Sequence, residues 1–261
     1  MQDISEIERW LDLIYVAAEG ASLRQEDRRK ARQVLGMLEE LRRALEKVSR
    51  RAPTLLVDAA AGTSYVGLLA AKLLLEPAGR DARVVAIERH QARVDASRRA
   101  LDRLGAALPV SCVAGDVADP ALWPPEPSVV VALHACGEAA DAIIDRSIAS
   151  GARSLLLVPC CTSRAVTAAR RAEAQAERLS IPRHAPVRRR FIQAMVDAQR
   201  TWRLEAAGYE TEVVEFVGAT VTPHNLLWRA RLVKEPVRMA AARREAESFF
   251  GGPERPPARR V

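Results

Sequence analysis

The chain has 261 residues, 49% of them apolar, which is enough to bury a sizeable core and excludes a disordered chain. Aromatic residues are only 4%, too few for base stacking as the main binding mode, and the net charge of +7 is carried almost wholly by arginine, the lysines being Lys30, Lys47, Lys72 and Lys234. Four scattered cysteines form no disulfide framework, no run reaches the length that spans a bilayer, and MQDISEIERW lacks a signal core, so a cytoplasmic protein is expected.

Residues 3 to 50 read as two helices. Val34, Leu35, Leu38, Leu41, Leu45 and Val48 recur at three- and four-residue spacing, with arginine and glutamate on the other face. After Pro53, short apolar strands alternate with helices. TLLVDA is a strand and Ser64 to Leu75 a helix; RVVAIE is a strand and His90 to Leu104 a helix. VSCVAGD follows as a strand, then a proline-rich loop from Pro120 to Pro127, then the strands VVVALH and SLLLVP. A helix from about Arg190 to Ala207 precedes ETEVVEFVG and NLLWRARLV, two strands separated by a turn at Pro223. The last residues, GGPERPPARRV, read as a disordered tail. Near-continuous apolar strands with helices between them predict a parallel sheet covered on both faces. There is no internal repeat.

The segment LLVDAAAGTSYVG is strand, small-residue loop and helix, a context in which the backbone can approach a nucleotide-like ligand closely. In open parallel sheets ligands sit beyond the carboxyl ends of the strands, and three acids occupy those ends. Asp58 is placed to hold the loop and a ligand's polar end, Glu88 to accept from a ribose diol, and Asp116 to accept from an exocyclic adenine amine. A dinucleotide-binding oxidoreductase needs no acid after the third strand. It would also want a small residue for close helix-to-strand packing at the position of the bulky Tyr65.

Over roughly residues 54–233 this arrangement resembles the class I S-adenosylmethionine (SAM)-dependent methyltransferases, with Ala60 and Ser64 where many members carry glycine. LHACGEAAD, VPCC and TPHNLLWRA, in that order, resemble the family within that class marked by Leu-His-Ala-Cys and Pro-Cys-Cys motifs. Its relatives include methyltransferase-like proteins and tRNA 2′-O-methyltransferases. Relatives often follow the cysteine pair with histidine, whereas Thr162 stands here. The resemblance implies an α/β fold: a Rossmann-like seven-stranded class I methyltransferase sheet with a C-terminal antiparallel hairpin and an N-terminal helical extension. It implies SAM as cofactor, bound by Asp58, Ala60, Gly62, Tyr65, Glu88, Asp116 and His134. It also places His134 and Cys136 at the reaction centre, with Cys160, His224 and Asn225 toward the acceptor.

A hydroxyl acceptor must lose its proton as the methyl arrives, and a neutral imidazole with a pKa near 6.5 suits that task. The alternative is that His134 caps the strand end or shapes the ligand pocket. The cluster for holding a planar amine is absent after the fourth strand. His134, Cys136, Cys160 and Cys161 are four candidate zinc ligands, but adjacent cysteines seldom both reach one tetrahedral ion, and no CxxC spacing is present; no metal is expected.

Two arginine clusters are either solvated faces or grips for an RNA backbone. One runs Arg28, Arg29, Lys30, Arg32, Arg42, Arg43, Arg50 and Arg51; the other, with fewer nearby acids, runs Arg183, Arg188, Arg189 and Arg190. RNA is the expected acceptor. A small molecule or a protein is the alternative within the enzyme reading, and a module that holds SAM or RNA without turnover is the alternative to it. The expected organisation is an N-terminal helical extension on the lid or substrate side (1–52), a methyltransferase domain (53–235), and a C-terminal helix and tail (236–261).

Overall fold

The computed structural model describes residues 3–16, 24–105, 107, 109–161 and 165–250; Thr162 and the tail 251–261 lie outside the described residues. The apolar runs after Pro53 become parallel strands: β1 (Thr54–Ala59), β2 (Ala82–Glu88), β3 (Val110–Ala114), β4 (Val129–Cys136) and β5 (Ser154–Cys161). β6 (Tyr209–Glu215) and β7 (Leu226–Leu232) close the seven-stranded sheet, in the order β3-β2-β1-β4-β5-β7-β6. β7 lies antiparallel between β5 and β6. Strand order reverses beside β1, which pairs with both β2 and β4, so a crevice opens beyond the carboxyl ends of β1 and β4.

The helices are α1 (Ile4–Leu11), α2 (Gln25–Glu46), α3 (Tyr65–Ala70, prolonged by a π-helical turn to Leu75), α4 (Gln91–Leu104), α5 (Glu138–Ser150), α6 (Thr167–Arg178), α7 (Ala185–Ala206) and α8 (Pro236–Phe250). Strand alternation divides the core between the two faces of the sheet. Leu56, Val129, Val131, Leu156 and Val158 pack with Val34, Met37, Leu38 and Leu41 of α2 and with Leu68 and Leu69 of α3. Their neighbours Val57, Val130, Ala132, Leu155 and Leu157 pack with Ile143 and Ile144 of α5 and Leu204 of α7. Each fully buried valine, leucine or isoleucine among them stabilises the fold by roughly 1.5–3 kcal/mol relative to exposure.

Polar ties fix the second layer. Arg200 of α7 is fully buried, 3.0 Å from Asp141 of α5 and 3.7 Å from Asp197, and Arg203 joins Asp141 at 2.7 Å. The indole Nε1 of Trp228 donates to Thr201 Oγ1 at 3.0 Å.

Both long helices run antiparallel to the parallel strands. Gln33, early in α2, reaches the end of β4, while Arg80, which precedes β2, donates to the carbonyls of Leu45 and Val48 at the other end of α2. The carboxyl end of α7 leads through Gly208 into the start of β6. The amino-terminal ends of α2 and α7 therefore stand on the side where the parallel strands end.

Candidate active site

The loop after β1 is built around Asp58, 2% exposed at the strand end. Ser64 Oγ and the Gly67 N–H both donate to its Oδ2, each at 2.9 Å. A Cβ on Gly67 would lie 2.8 Å from that oxygen, so only glycine lets α3 come so close to β1. The close helix-to-strand contact sought at the position of Tyr65 is thus met two residues later, at Gly67. Ala60, Gly62 and Ser64 all take left-handed backbone angles, with φ of 53°, 60° and 52°, which folds the loop tightly enough to expose its amides. Burial pushes the Asp58 carboxyl up to about 7, against the opposing pull of the Gly67 and Ser64 donors and the Lys30 charge.

Glu88, at the end of β2, is 6% exposed and held from two sides. The Gly62 N–H donates to Oε2 at 2.9 Å and the His90 N–H to Oε1 at 3.0 Å, with Arg93 3.7 Å away. Each carboxylate oxygen keeps a second lone pair, so a rigidly held acceptor remains for a vicinal diol. Asp116, exposed beyond β3, spends Oδ1 on the Ala118 N–H at 2.8 Å.

His134 stands where β4 breaks its register with β5, between Leu133 and Ala135, and its φ is +64°. That left-handed kink turns the ring out of the strand's alternation, and its Nε2 lies 2.7 Å from Gln33 Oε1 on α2. Gly137 follows with φ 56° and ψ −126°, a conformation only glycine adopts readily. Burial, then Lys30, then His224 push the His134 pKa down to about 4, well below the 6.5 expected from sequence. The ring is a neutral imidazole throughout the physiological range.

Cys136 and Cys160, at the ends of β4 and β5, are joined as a disulfide with Cα atoms 5.4 Å apart, and both sulfurs lie 3.5 Å from the His134 carbonyl oxygen. Sequence led us to expect no disulfide framework; one pair forms where the register shifts at the end of β4 bring Cys136 beside Cys160. While bonded, Cys136 offers no thiol for catalysis. Among the described residues no group of three metal-ligating side chains converges.

The acceptor-side residues divide. His224 is exposed in the β6–β7 turn and close enough to influence His134. Asn225 is 6% exposed and spends its amide on the Val217 carbonyl at 3.0 Å, which locks that turn. Arg188 donates to the Ile181 carbonyl at 2.9 Å and so holds the α6–α7 corner, whereas Arg183, Arg189 and Arg190 are exposed without an ion pair to any described residue. The first arginine cluster splits along α2. Arg28, Arg29 and Arg32 are exposed at the strand-end side without such a pair, while Arg42 and Arg43, at the far end, pair with Glu46 and Glu40. A groove of about 500 Å³ at that far end is lined by Glu40, Lys47, Arg229 and Arg231; it is remote from His134, and its arginines are engaged by glutamates.

Sequence reasoning missed Gln33 and Tyr15 in the N-terminal segments, and it read Lys30 as part of an RNA-gripping cluster although the side chain turns inward toward Tyr65. Lys30 holds its amine 5.4 Å from the centre of the Tyr65 ring, and burial lowers its pKa. Tyr15 donates to the Thr63 carbonyl and packs edge-on against Tyr65 at 4.5 Å. The available signal was a polar interruption: Lys30 and Gln33 continue, at helical spacing, the stripe of Val34, Met37 and Leu41.

A solved structure similar to the chain is magnesium protoporphyrin IX methyltransferase from Synechocystis PCC 6803 with bound S-adenosylhomocysteine (SAH). It is 13% identical with a TM-score of 0.50, covering 87% of this chain and 94% of that one. An SAH-bound methyltransferase from Podospora anserina is 15% identical with a TM-score of 0.48, covering 89% of each chain. Precorrin-6y C5,15-methyltransferase from Geobacter metallireducens GS-15 is 19% identical with a TM-score of 0.41, covering 75% and 88%. At these identities the likeness is one of fold. No curated protein matches the chain. A family model described as a methyltransferase domain matches residues 29–167.

Proposed function

Because the chain belongs to the methyltransferase-domain family matched by its residues 29–167, we propose that it is a SAM-dependent enzyme that methylates RNA at a hydroxyl. The observation that carries this reading is a convergence beyond the carboxyl ends of the parallel strands. The tight loop with Asp58, the Glu88 carboxylate, a neutral His134 and the exposed arginines of α2 and α7 all stand beyond the same strand ends.

The residues present fit SAM. Both bonds that Asp58 accepts fall on Oδ2, which leaves Oδ1 for a ligand's ammonium, and Lys30, whose charge is felt at Asp58, would serve the carboxylate. Glu88 would accept from the ribose hydroxyls, and Asp116, with Oδ2 uncommitted, from the adenine amine. The bound sulfonium supplies an already activated methyl, so the protein's task is alignment and proton removal. His134 would take the hydroxyl proton as the new O–C bond forms and the S–C bond breaks, its electron pair staying with the sulfur of the departing SAH. With a pKa of about 4 it is a weak base, and it acts only as the acceptor oxygen gains positive charge.

RNA is favoured over a small acceptor by Arg28, Arg29, Arg32, Arg183, Arg189 and Arg190, guanidinium groups suited to phosphate oxygens. The test is single-turnover transfer from methyl-labelled SAM to total RNA, to a protein extract and to a metabolite fraction. Label in RNA is expected, with affinity falling steeply as salt rises. Label confined to metabolites or protein rejects the acceptor, and absence of SAH binding rejects the enzyme.

A further inference from the structure

We propose that Gln33 of α2 is a positioning residue that fixes His134 as its Nε2–H tautomer and leaves the Nδ1 lone pair to receive the acceptor's proton. The inference rests on the reading of His134 as the proton acceptor.

Gln33 is only 9% exposed, between Ala31 and Val34, which are fully buried. A polar side chain in that position needs a partner, and its Oε1 finds one in His134 Nε2 at 2.7 Å. As the amide is oriented here, with Oε1 toward the ring, it accepts and Nε2 carries the hydrogen. A neutral imidazole has one N–H, and Nδ1 is then the basic atom. Nδ1 makes no hydrogen bond to a described residue. The left-handed backbone at His134, φ +64°, brings the ring toward α2, and the contact spans 101 residues of sequence.

The choice of glutamine is chemically pointed. The titratable groups facing this ring are Lys30, one turn earlier on α2, and His224 from the β6–β7 turn, and both disfavour imidazolium. A carboxylate at residue 33 would counter them and hold the ring protonated, removing the lone pair. An amide orients the ring without charging it. The N-terminal extension thereby contributes to the reaction centre itself.

Two readouts test this, and the first needs no turnover. Long-range proton–nitrogen spectra of histidine-labelled protein, assigned by loss of signals in His134→Ala, should show His134 with its proton on Nε2. A proton on Nδ1 would overturn the proposal. The second uses Gln33→Leu and Gln33→Glu. Gln33→Leu should mix the tautomers and lower kcat on the order of ten- to a hundredfold, with SAH affinity within about twofold of wild type. Gln33→Glu should raise the His134 pKa and add an acid limb to the rate profile that wild type lacks. If Gln33→Leu keeps the wild-type tautomer, or shifts it with no loss of turnover, the positioning role is wrong. Should Gln33→Leu fail to fold, the wild-type spectrum and Gln33→Glu still decide. Normal turnover in His134→Ala would instead defeat the reading of His134, whatever the tautomer.

Discussion

Replacing Asp58 with asparagine probes the cofactor end of the site through folding energetics. Asp58 is 2% exposed, and burial holds its carboxyl at about 7 against an ordinary 3.8. Between those two values the unfolded chain has lost the proton and the folded chain keeps it, so stability falls as pH rises, by about 1.4 kcal/mol per pH unit. From about pH 5 to about pH 7 the loss is about 3 kcal/mol, and above the folded pKa it levels off. Asparagine can still accept from Ser64 and Gly67 but does not titrate. His134 contributes the opposite slope, because its folded pKa lies below its unfolded one; its stability is lost as pH falls from 6.5 toward about 4. That contribution cancels when the Asp58→Asn protein is compared with wild type. Urea unfolding of both proteins across this pH range should show the variant gaining on wild type by about 3 kcal/mol up to pH 7, then running parallel. A difference independent of pH would refute the buried, proton-holding carboxyl. The same carboxylate should be drawn into its ionised form by a ligand ammonium. SAH binding to wild type near neutral pH should therefore release a proton, measurable by calorimetry in buffers of differing ionisation heat, and binding to the variant should not.

His134→Ala is expected to slow methyl transfer at least about a hundredfold with little change in SAH affinity, read by single-turnover rates and calorimetry. Wild-type turnover should show no His134-dependent fall on acidification until the pH approaches about 4. Lys30→Met should weaken SAH binding by about tenfold or more while leaving 5′-methylthioadenosine, which lacks the carboxylate, unaffected; equal losses for both ligands would remove Lys30 from the carboxylate role. Replacing Arg189 and Arg190 together with alanine should lower RNA affinity and flatten its logarithmic salt dependence by roughly one unit per lost phosphate contact. Asp141→Ala leaves the buried Arg200 with only Asp197, 3.7 Å away, and should destabilise the fold by up to about 3–5 kcal/mol in urea unfolding, without altering SAH affinity of the folded protein.

The sheet was legible because its strands are near-continuous apolar runs, and the three strand-end acids could be placed in register from them. The helices of the second layer were harder. α6 buries only alanines, Ala168, Ala169, Ala172 and Ala176, so it shows little apolar contrast against its arginines. α7 begins at Ala185, before the expected start, because Pro186 sits in the first turn, where a missing N–H costs nothing, although in sequence it reads as a breaker. Residues that depend on tertiary neighbours were invisible. The Cys136–Cys160 pairing needs the β4–β5 register, and Gln33 resembles any polar residue of an amphipathic helix until β4 is brought against it. The N-terminal arginines formed one cluster in sequence, but a 22-residue helix extends about 33 Å, so only part of that cluster borders the site.

The packing of α2 has a practical consequence for anyone trimming the chain to its sheet. Val34, Met37, Leu38 and Leu41 cover Leu56, Val129, Val131 and Leu156. A protein started at residue 53 would expose a row of bare aliphatic strands to water and to other copies of itself, a surface that drives precipitation during expression. Loss of activity in such a truncation would report aggregation and a missing Gln33 together. Dissection of this enzyme therefore has to proceed by point substitution along α2, with the helix left in place.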